Sequence, residues 1–506
     1  MENIRDWNIS RQLWWGHRIP VFTCTKCAHQ VASVDVPTSC PKCAGSLEQD
    51  PDVLDTWASS WLWPFATLGW PQQTPDMARF YPGHTLVTAP EIIFLWVARM
   101  LISGYHFLGK LPFTTVYLTG TVRDAKHRKM SKSLGNGIDP LVVVNAYGAD
   151  AMRWTCVANT SIGQDVMLDH ENLETTFAPG RNFANKLWNI GRFILAQLPD
   201  DVPSIDTVDT STLTVADRWI LTRANEAITQ ATAALEQFRL DEAAKRCFEF
   251  VWHELADWYV EAVKPRLAAA GAAPPFAAAQ RAPAAHGDAA PAAAQAVLAH
   301  CFDVALRLLH PVVPFITEEL WQKLPGRRAD ELLAVAAWPR PIPSVEDRAA
   351  EAQFERVKTV IEHIRSIRAE YRINPKSRLK AAIVPRGRDV PDAFNRERET
   401  ILRLAQLESL TIDGAPQGVG ASAVFGDGSE VFVALEGEID LQQECRRLST
   451  ELERLDKQLT ALSGRLSNAS FVQRAPPDVV AGERAKEQTW REQRGALAAK
   501  LKALGC

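Results

Sequence analysis

No apolar run in these 506 residues is both long and uncharged. The most apolar stretch, 92–108, is broken by Arg99, and the N-terminus Met1-Glu2-Asn3-Ile4-Arg5-Asp6-Trp7 has no apolar core of signal-peptide length. A cytoplasmic protein with no membrane partner is expected. Charge of one sign is scarce as well: 56 Lys and Arg stand against 60 Asp and Glu, a formal net charge of −4. No chain-wide field therefore draws the protein to nucleic acid, and any RNA contact has to come from local basic surface. Cysteines are few and odd in number. Of nine, Cys156, Cys247, Cys301, Cys445 and Cys506 stand singly, which argues against a disulfide framework and for reduced thiols. What the chain does have is size, and with 46% hydrophobic content it can bury two to four separate cores.

The densest chemical signal is Lys129-Met130-Ser131-Lys132-Ser133, followed by Leu134-Gly135-Asn136-Gly137-Ile138-Asp139-Pro140, which reads as a mobile glycine-rich loop. Two ammonium groups beside small hydroxyls suit a polyphosphate, and glycines let the backbone N–H groups approach it. A solvated surface loop is the alternative. The surroundings favour phosphate, because Thr85-Leu86-Val87-Thr88 reads as a short strand, 90–107 as a helix and 113–118 as a second strand, together a βαβ unit. Pro90 suits a first helical turn, and Glu91 beside it complements the helix dipole. Ligands of open parallel sheets bind beyond the carboxyl ends of the strands, where the loop 120–139 would emerge.

Cys24-Thr25-Lys26-Cys27 and Cys40-Pro41-Lys42-Cys43 repeat a CxxC pair with the spacing of a zinc ribbon over 20–47. Each pair aims two sulfurs at one point. Four thiolates close a tetrahedral shell with no open position, so the expected Zn2+ is structural; a redox pair is the alternative.

Beyond residue 166 the pattern turns helical. Apolar residues recur at helical spacing over 175–195 and 216–263, with Phe248, Val251, Trp252, Leu255, Trp258 and Tyr259 as an aromatic stripe that reads as packing core sooner than as a base-stacking platform. The stretch 268–295, rich in Ala and Pro, reads as a flexible insertion, and helix resumes over 296–309 and 315–324. A small α+β module over 346–437 follows, with a basic helix at 356–372 and strands at 379–384 and 430–435. Leu441, Cys445, Leu448, Leu452, Leu455, Leu459, Leu462 and Leu466 then form an a/d seam, and with a second helix over 480–504 they predict an antiparallel coiled-coil hairpin at 438–506. Either a solvated hairpin or a tRNA-contacting arm fits its weakly basic balance.

The KMSKS loop on a βαβ unit, the four-cysteine knuckle before it and the tryptophan-rich helices after it resemble a class I aminoacyl-tRNA synthetase, most nearly the valyl-tRNA synthetases. The segments carrying that likeness include Asn8-Ile9-Ser10-Arg11-Gln12-Leu13-Trp14-Trp15-Gly16-His17-Arg18-Ile19-Pro20, Asp52-Val53-Leu54-Asp55-Thr56-Trp57, Ile92-Ile93-Phe94, Arg181-Asn182-Phe183-Ala184-Asn185-Lys186-Leu187-Trp188-Asn189 and Asp257-Trp258-Tyr259. Its implied fold is a Rossmann-like α/β catalytic half at 1–165, a helical anticodon-binding bundle at 166–345, the α+β module and the coiled-coil arm. Its implied activity is joining valine to tRNA(Val) with ATP and Mg2+. Lys129, Met130, Ser131, Lys132 and Ser133 would bind ATP, with Lys129 and Lys132 catalytic; Trp57, Glu91 and Ile92 would bind substrate; Cys24, Cys27, Cys40 and Cys43 would hold zinc. The chain departs from the family at Ala89 and Glu91, where glycine and aspartate are usual. None of its eleven histidines lies in an HxGH, the family signature that grips ATP from the opposite side. The first half of the catalytic fold and the editing insertion are therefore expected outside this chain, aminoacylation by this chain alone is not expected, and a separate N-terminal half is an expected partner. Two other readings are a non-catalytic tRNA-binding or regulatory protein and an isoleucyl or leucyl relative.

Overall fold

The strands Gly83–Thr88 and Phe113–Leu118 pair in parallel, from Gly83 opposite Phe113 to Thr88 opposite Leu118, and the chain between them is the expected helical crossover. In the computed structural model, residues 2, 4–269, 289–386, 390–414, 418–468 and 476–506 are described. They divide into one unit of residues 1–184 with 231–245 and another of residues 185–230 with 246–506.

In the first unit the crossover differs from the regular helix expected. It opens with a 3-10 turn at Pro90–Ile92, widens to a π turn at Ile93–Val97, and becomes α-helical only over Ala98–Leu108, where Gly109 at φ 67° ends it. Wide π turns inside helices concentrate at functional sites, because they rotate the side chains that follow. Val97, Met100 and Phe113 form the core beneath, with Leu86, Trp96 and Leu101 packed on it. A second parallel pair, Val122–Arg123 with Val166–Met167, lies beside a core of Val143, Val166, Leu168 and Phe177. At Gly120 a β-carbon would sit 1.9 Å from the Gln164 carbonyl oxygen, so no other residue fits there. The knuckle is a three-stranded antiparallel sheet, Val21–Cys24 between Gln30–Ala32 and Leu47–Gln49.

The second unit begins with helices. Trp219, Ile220, Ala224 and Ala227 on Val215–Glu236 are buried, as are Val251, Leu255, Trp258 and Tyr259 of the stripe, so these four serve as packing core. The long helix expected over 216–263 is interrupted: Phe238, in the stretch 231–245 that belongs to the first unit, turns the chain at φ 59°, and Phe250–Tyr259 in the second unit is π-helical. The helix Ala289–Leu309, which Pro314–Trp321 follows, buries Ala293 and Ala294 in its first turns. Residues 289–295 therefore belong to it and not to a flexible insertion, since alanine packs closely on a helix even when proline stands in its first turn; 270–288 lie outside the described residues. Asp217, fully buried, accepts from both Arg266 terminal nitrogens at 2.6 Å and from the Tyr259 hydroxyl at 2.7 Å. Among the described residues, two helices, Pro90–Leu108 and Pro291–Leu309, are long and apolar enough to cross a membrane. The second is mostly buried in the bundle, and the first carries Arg99 against the rings of Trp7 and Phe94.

Among its described residues the α+β module holds four strands in place of the two expected, ordered Leu407–Ile412, Leu379–Val384, Glu430–Ala434, Gly420–Val424, the first pair parallel and the others antiparallel. Helix Arg348–Glu370, longer than expected, buries Phe354, Val357, Ile361 and Ile364. The hairpin is as the heptads predict: Leu441–Leu466 runs against Pro477–Ala503, with Leu448, Leu455 and Leu462 buried at seven-residue intervals. Its antiparallel register shows in Arg465 with Glu483 and Asp456 with Arg494. One expectation fails here. Cys445 and Cys506 are joined as a disulfide, Cα to Cα 5.8 Å, because the antiparallel return brings the C-terminus back beside the foot of the first helix. The other seven cysteines are free.

Candidate functional site

The loop after Phe113–Leu118 delivers its cations where the sheet ends. Lys129 Nζ lies 2.5 Å from the Glu91 carboxylate, which stands one residue past Pro90 beyond the carboxyl end of Gly83–Thr88. Lysine hydrogen bonding holds the Glu91 carboxyl below the usual carboxylate range. Lys129 is thereby aimed at the mouth of the sheet, and both side chains are open to solvent. Lys132 and Ser133 are exposed on the loop's outer turn, where the Gly135 N–H closes on the Lys132 carbonyl at 3.3 Å and Gly135 takes φ 63°. Ser131 Oγ pairs with Ser133 Oγ at 3.2 Å. Met130 faces the other way: its N–H donates to the Val122 carbonyl and its side chain packs on the Val143 and Val166 core, so it anchors the loop instead of presenting a group to a ligand.

The apolar candidates gather on the same unit. Trp57 is half-buried with its ring 6.4 Å from that of Trp96, and Ile92, four residues before Trp96 on the crossover, is also half-buried. Ile92 closes the 3-10 turn and Trp96 lies in the π turn that follows it. Trp57 is set by the segments around it. Asp55 caps the short helix Thr56–Ser60 by accepting from the Trp57 N–H at 2.8 Å, and Arg11 pairs with Asp55 at 2.6 Å. Ser10–Arg11 runs antiparallel to Val53–Leu54, which ties the two motif segments together. Trp96, whose Nε1 donates to the Ser60 carbonyl at 3.1 Å, carries no site role in the sequence analysis, and neither do Asp124 and Asn136 beneath the loop. The two tryptophans share no short sequence motif that would have joined them.

The four candidate zinc ligands converge, their sulfurs all within 4.8 Å of one another. A tetrahedral shell with zinc–sulfur bonds of about 2.3 Å has edges of roughly 3.8 Å. The recorded contacts, 3.5 Å for Cys24 with Cys43, 3.7 Å for Cys27 with Cys40 and 3.3 Å for Cys27 with Cys43, are close to that. Both knuckles share one turn: Ala28 and Ala44, each just past the second cysteine of its pair, take φ 55° and donate back to Cys24 and Cys40. A β-carbon on Gly45 would press to 3.1 Å of the Cys24 sulfur, so the backbone there shapes the cradle. Burial works against ionising Cys24, but backbone N–H groups and neighbouring thiols outweigh it and bring the thiol down to about 6; Cys43, bonded to Cys27, is pushed up to about 12. Thiols this crowded share protons that a divalent cation would displace.

Comparison with known proteins accords with this geometry. Residues 1–169 match the family described as tRNA synthetases class I (I, L, M and V), 217–383 the anticodon-binding domain of tRNA ligase, and 440–505 the valyl tRNA synthetase tRNA binding arm. Valine–tRNA ligases of Nitratidesulfovibrio vulgaris and Symbiobacterium thermophilum are 41% and 42% identical over all of this chain and 54% of their own lengths. The chain thus spans about half the length of the curated relatives it matches. A solved LeuRS–tRNA–LeuAMS complex of Agrobacterium radiobacter K84 superposes with a TM-score of 0.53 at 23% identity, over 68% of this chain and 44% of that one, a likeness of fold. The chain thus carries, in series, a class I tRNA synthetase domain, a tRNA ligase anticodon-binding domain and a valyl tRNA synthetase tRNA binding arm, and is similar along its whole length to part of the valine–tRNA ligases.

Proposed function

We propose that this chain provides the KMSKS side of the nucleotide site, together with the anticodon bundle and tRNA arm, of a cytoplasmic valine–tRNA ligase, which converts ATP, valine and tRNA(Val) to valyl-tRNA, AMP and pyrophosphate. The observation that carries the reading is the placement of Lys129 at the mouth of the parallel sheet, on the same unit as the paired rings of Trp57 and Trp96 and, on the crossover, Ile92. Fixed ammonium groups beside the departing phosphates stabilise the charge that develops as valine attacks the α-phosphate, and their advantage over water is that they need no reorganisation. Lys129 and Lys132 fill that role, and the Ser131 and Ser133 hydroxyls are within reach of the same oxygens. Magnesium, when bound with ATP, supplies further charge neutralisation between phosphate oxygens. Trp57, Ile92 and Trp96 offer a branched aliphatic side chain an apolar surface, and Glu91 places a carboxylate near the substrate's α-amino group. Zinc on Cys24, Cys27, Cys40 and Cys43 would crosslink the knuckle without entering the chemistry, because four sulfurs leave no open position.

Val87, Ile93, Phe94, Val116 and Leu118 are exposed around the two-stranded parallel sheet. Parallel sheets are ordinarily covered on both faces, so this bare surface supports a further catalytic-domain polypeptide packing there. The test is valine-dependent exchange of pyrophosphate into ATP, with this chain alone and mixed with a polypeptide carrying the HxGH half of a valine–tRNA ligase. Exchange that falls on the order of 100-fold when Lys132→Ala is introduced supports the assignment. Absence of exchange in every mixture, with tRNA(Val) binding retained, would leave a binding protein and not an enzyme.

A further inference from the structure

Beneath the exposed lysines lie two polar side chains that solvent does not reach, Asp124 at 0% and Asn136 at 1% exposure. Asp124 Oδ1 accepts from the backbone N–H groups of Lys126 and Arg128, both at 2.9 Å, which folds 124–128 into a tight turn. Its other oxygen accepts from Arg128 Nε at 2.9 Å and from the Asn136 side-chain amide at 3.0 Å. The Asn136 amide and the Arg128 groups hold the Asp124 carboxyl below the usual carboxylate range in spite of burial, so it is an anion at neutral pH. Asn136 in turn spans the motif. Its Oδ1 accepts from the Ser131 N–H at 2.9 Å, and its amide also reaches the Lys129 carbonyl at 3.4 Å.

These bonds fall on the backbone either side of Met130, whose half-buried side chain packs against the core. Two bonds from Asn136 and the Met130 N–H bond to the Val122 carbonyl pin the path through 129–131, while 132–135 forms an exposed turn closed by the Gly135 N–H on the Lys132 carbonyl. A lysine on a flexible four-carbon stem is aimed only as well as its backbone is fixed, and pre-organisation of that kind is what separates a phosphate site from a basic loop.

We propose that Asp124 and Asn136 are positioning residues for phosphate recognition: a buried acid–amide link, twelve residues apart in sequence, that sets the aim of Lys129 and the point from which Lys132 departs. This rests on the reading of the loop as a phosphate site. The link touches no ligand and acts through the backbone.

The experiment is titration of the full chain with pyrophosphate by calorimetry, with thermal unfolding followed on each variant. Asp124→Asn keeps the turn's acceptor but removes the oxygen that receives the Asn136 amide, and Asn136→Asp sets two carboxylates face to face. Each should weaken pyrophosphate binding about tenfold or more, the second by the larger factor. The double exchange Asp124→Asn with Asn136→Asp restores one donor, one acceptor and the net charge across the contact, though not the Arg128 or Lys129 bonds, and should bind pyrophosphate several-fold more tightly than Asn136→Asp alone. A purely structural role would lower the melting temperature in step with affinity and would show no such rescue. A double variant as weak as the two singles combined, or singles that bind like the parent chain, overturns the positioning role. Lys132→Ala tests the underlying reading separately: if it binds pyrophosphate as the parent does, or if the parent does not bind at all, the phosphate site itself fails and the link loses its purpose.

Discussion

Lys129 Nζ and Glu91 Oε1 are 2.5 Å apart at the end of the sheet, so the first lysine of the KMSKS motif meets a carboxylate from the crossover helix before it meets any nucleotide. A phosphate must compete with Glu91 for that ammonium. Replacing Glu91→Gln should therefore tighten pyrophosphate binding several-fold at low salt, with a smaller gain at high salt, where exposed pairs are screened. Because the Glu91 pKa is depressed, the pair is present above the ordinary carboxylate range and is lost only as pH falls through the lowered value. The Gln variant and the parent should converge in acid and differ at neutral pH. Calorimetric titration across that window checks it, and equal affinities at pH 7 would show that the pair does not compete.

Zinc content and protease sensitivity test the knuckle together. The protein should carry one zinc ion per chain, and Cys43→Ser should abolish it. Chelation should speed tryptic cleavage after Lys26 and Lys42, which lie within the two turns, and should leave cleavage in the helical bundle unchanged. Equal digestion before and after chelation would mean that the sulfurs hold their places without metal.

Asp217 makes the bundle's stability sensitive to acid. Burial opposes its ionisation, but the paired Arg266 guanidinium and the Tyr259 hydroxyl outweigh that and keep its pKa below the ordinary value. Its contribution is thus complete above the ordinary carboxylate range and disappears as pH falls through the depressed value. Asp217→Ala leaves Arg266 buried without its partner and should destabilise the second unit by about 3–5 kcal/mol in urea unfolding at pH 7. That deficit should shrink towards pH 2.

The Cys445–Cys506 bridge closes a chain segment of 61 residues. In the loop-entropy account such a crosslink stabilises the hairpin by about 4 kcal/mol, so reduction should lower the arm's melting temperature and leave the bundle's unchanged. Cys506→Ser should reproduce the reduced behaviour without reductant. Identical melting of oxidised, reduced and substituted protein would rule the bridge out.

Features written in local spacing were readable in advance. The four metal-type cysteines sit in two CxxC words, the hairpin seam repeats every seven residues, and the strand Phe113–Leu118 falls where its apolar residues place it. Lys129 and Lys132 were legible because they stand in one short word. What escaped depends on partners brought together by the fold. Nothing near Asp124 signals that Asn136 will meet it under the loop, and single cysteines 61 residues apart carry no mark of pairing. The strands Leu407–Ile412 and Gly420–Val424 were missed for another reason: the first buries only Leu407 and Leu410, and the second is built largely of Gly, Ala and Ser, so neither alternates strongly enough to be seen. The crossover's wide turn likewise leaves no periodic trace over five residues.

The bridged end of the hairpin is also its rooted end, where Lys500 meets Glu370 at 2.5 Å. Leu441–Leu466 extends from there as a rod of 26 residues, about 39 Å at the helical rise. A tilt of roughly 10° at that foot would carry the far end about 7 Å, more than one helical turn. The side chains at this foot therefore set where the far end of the rod lies.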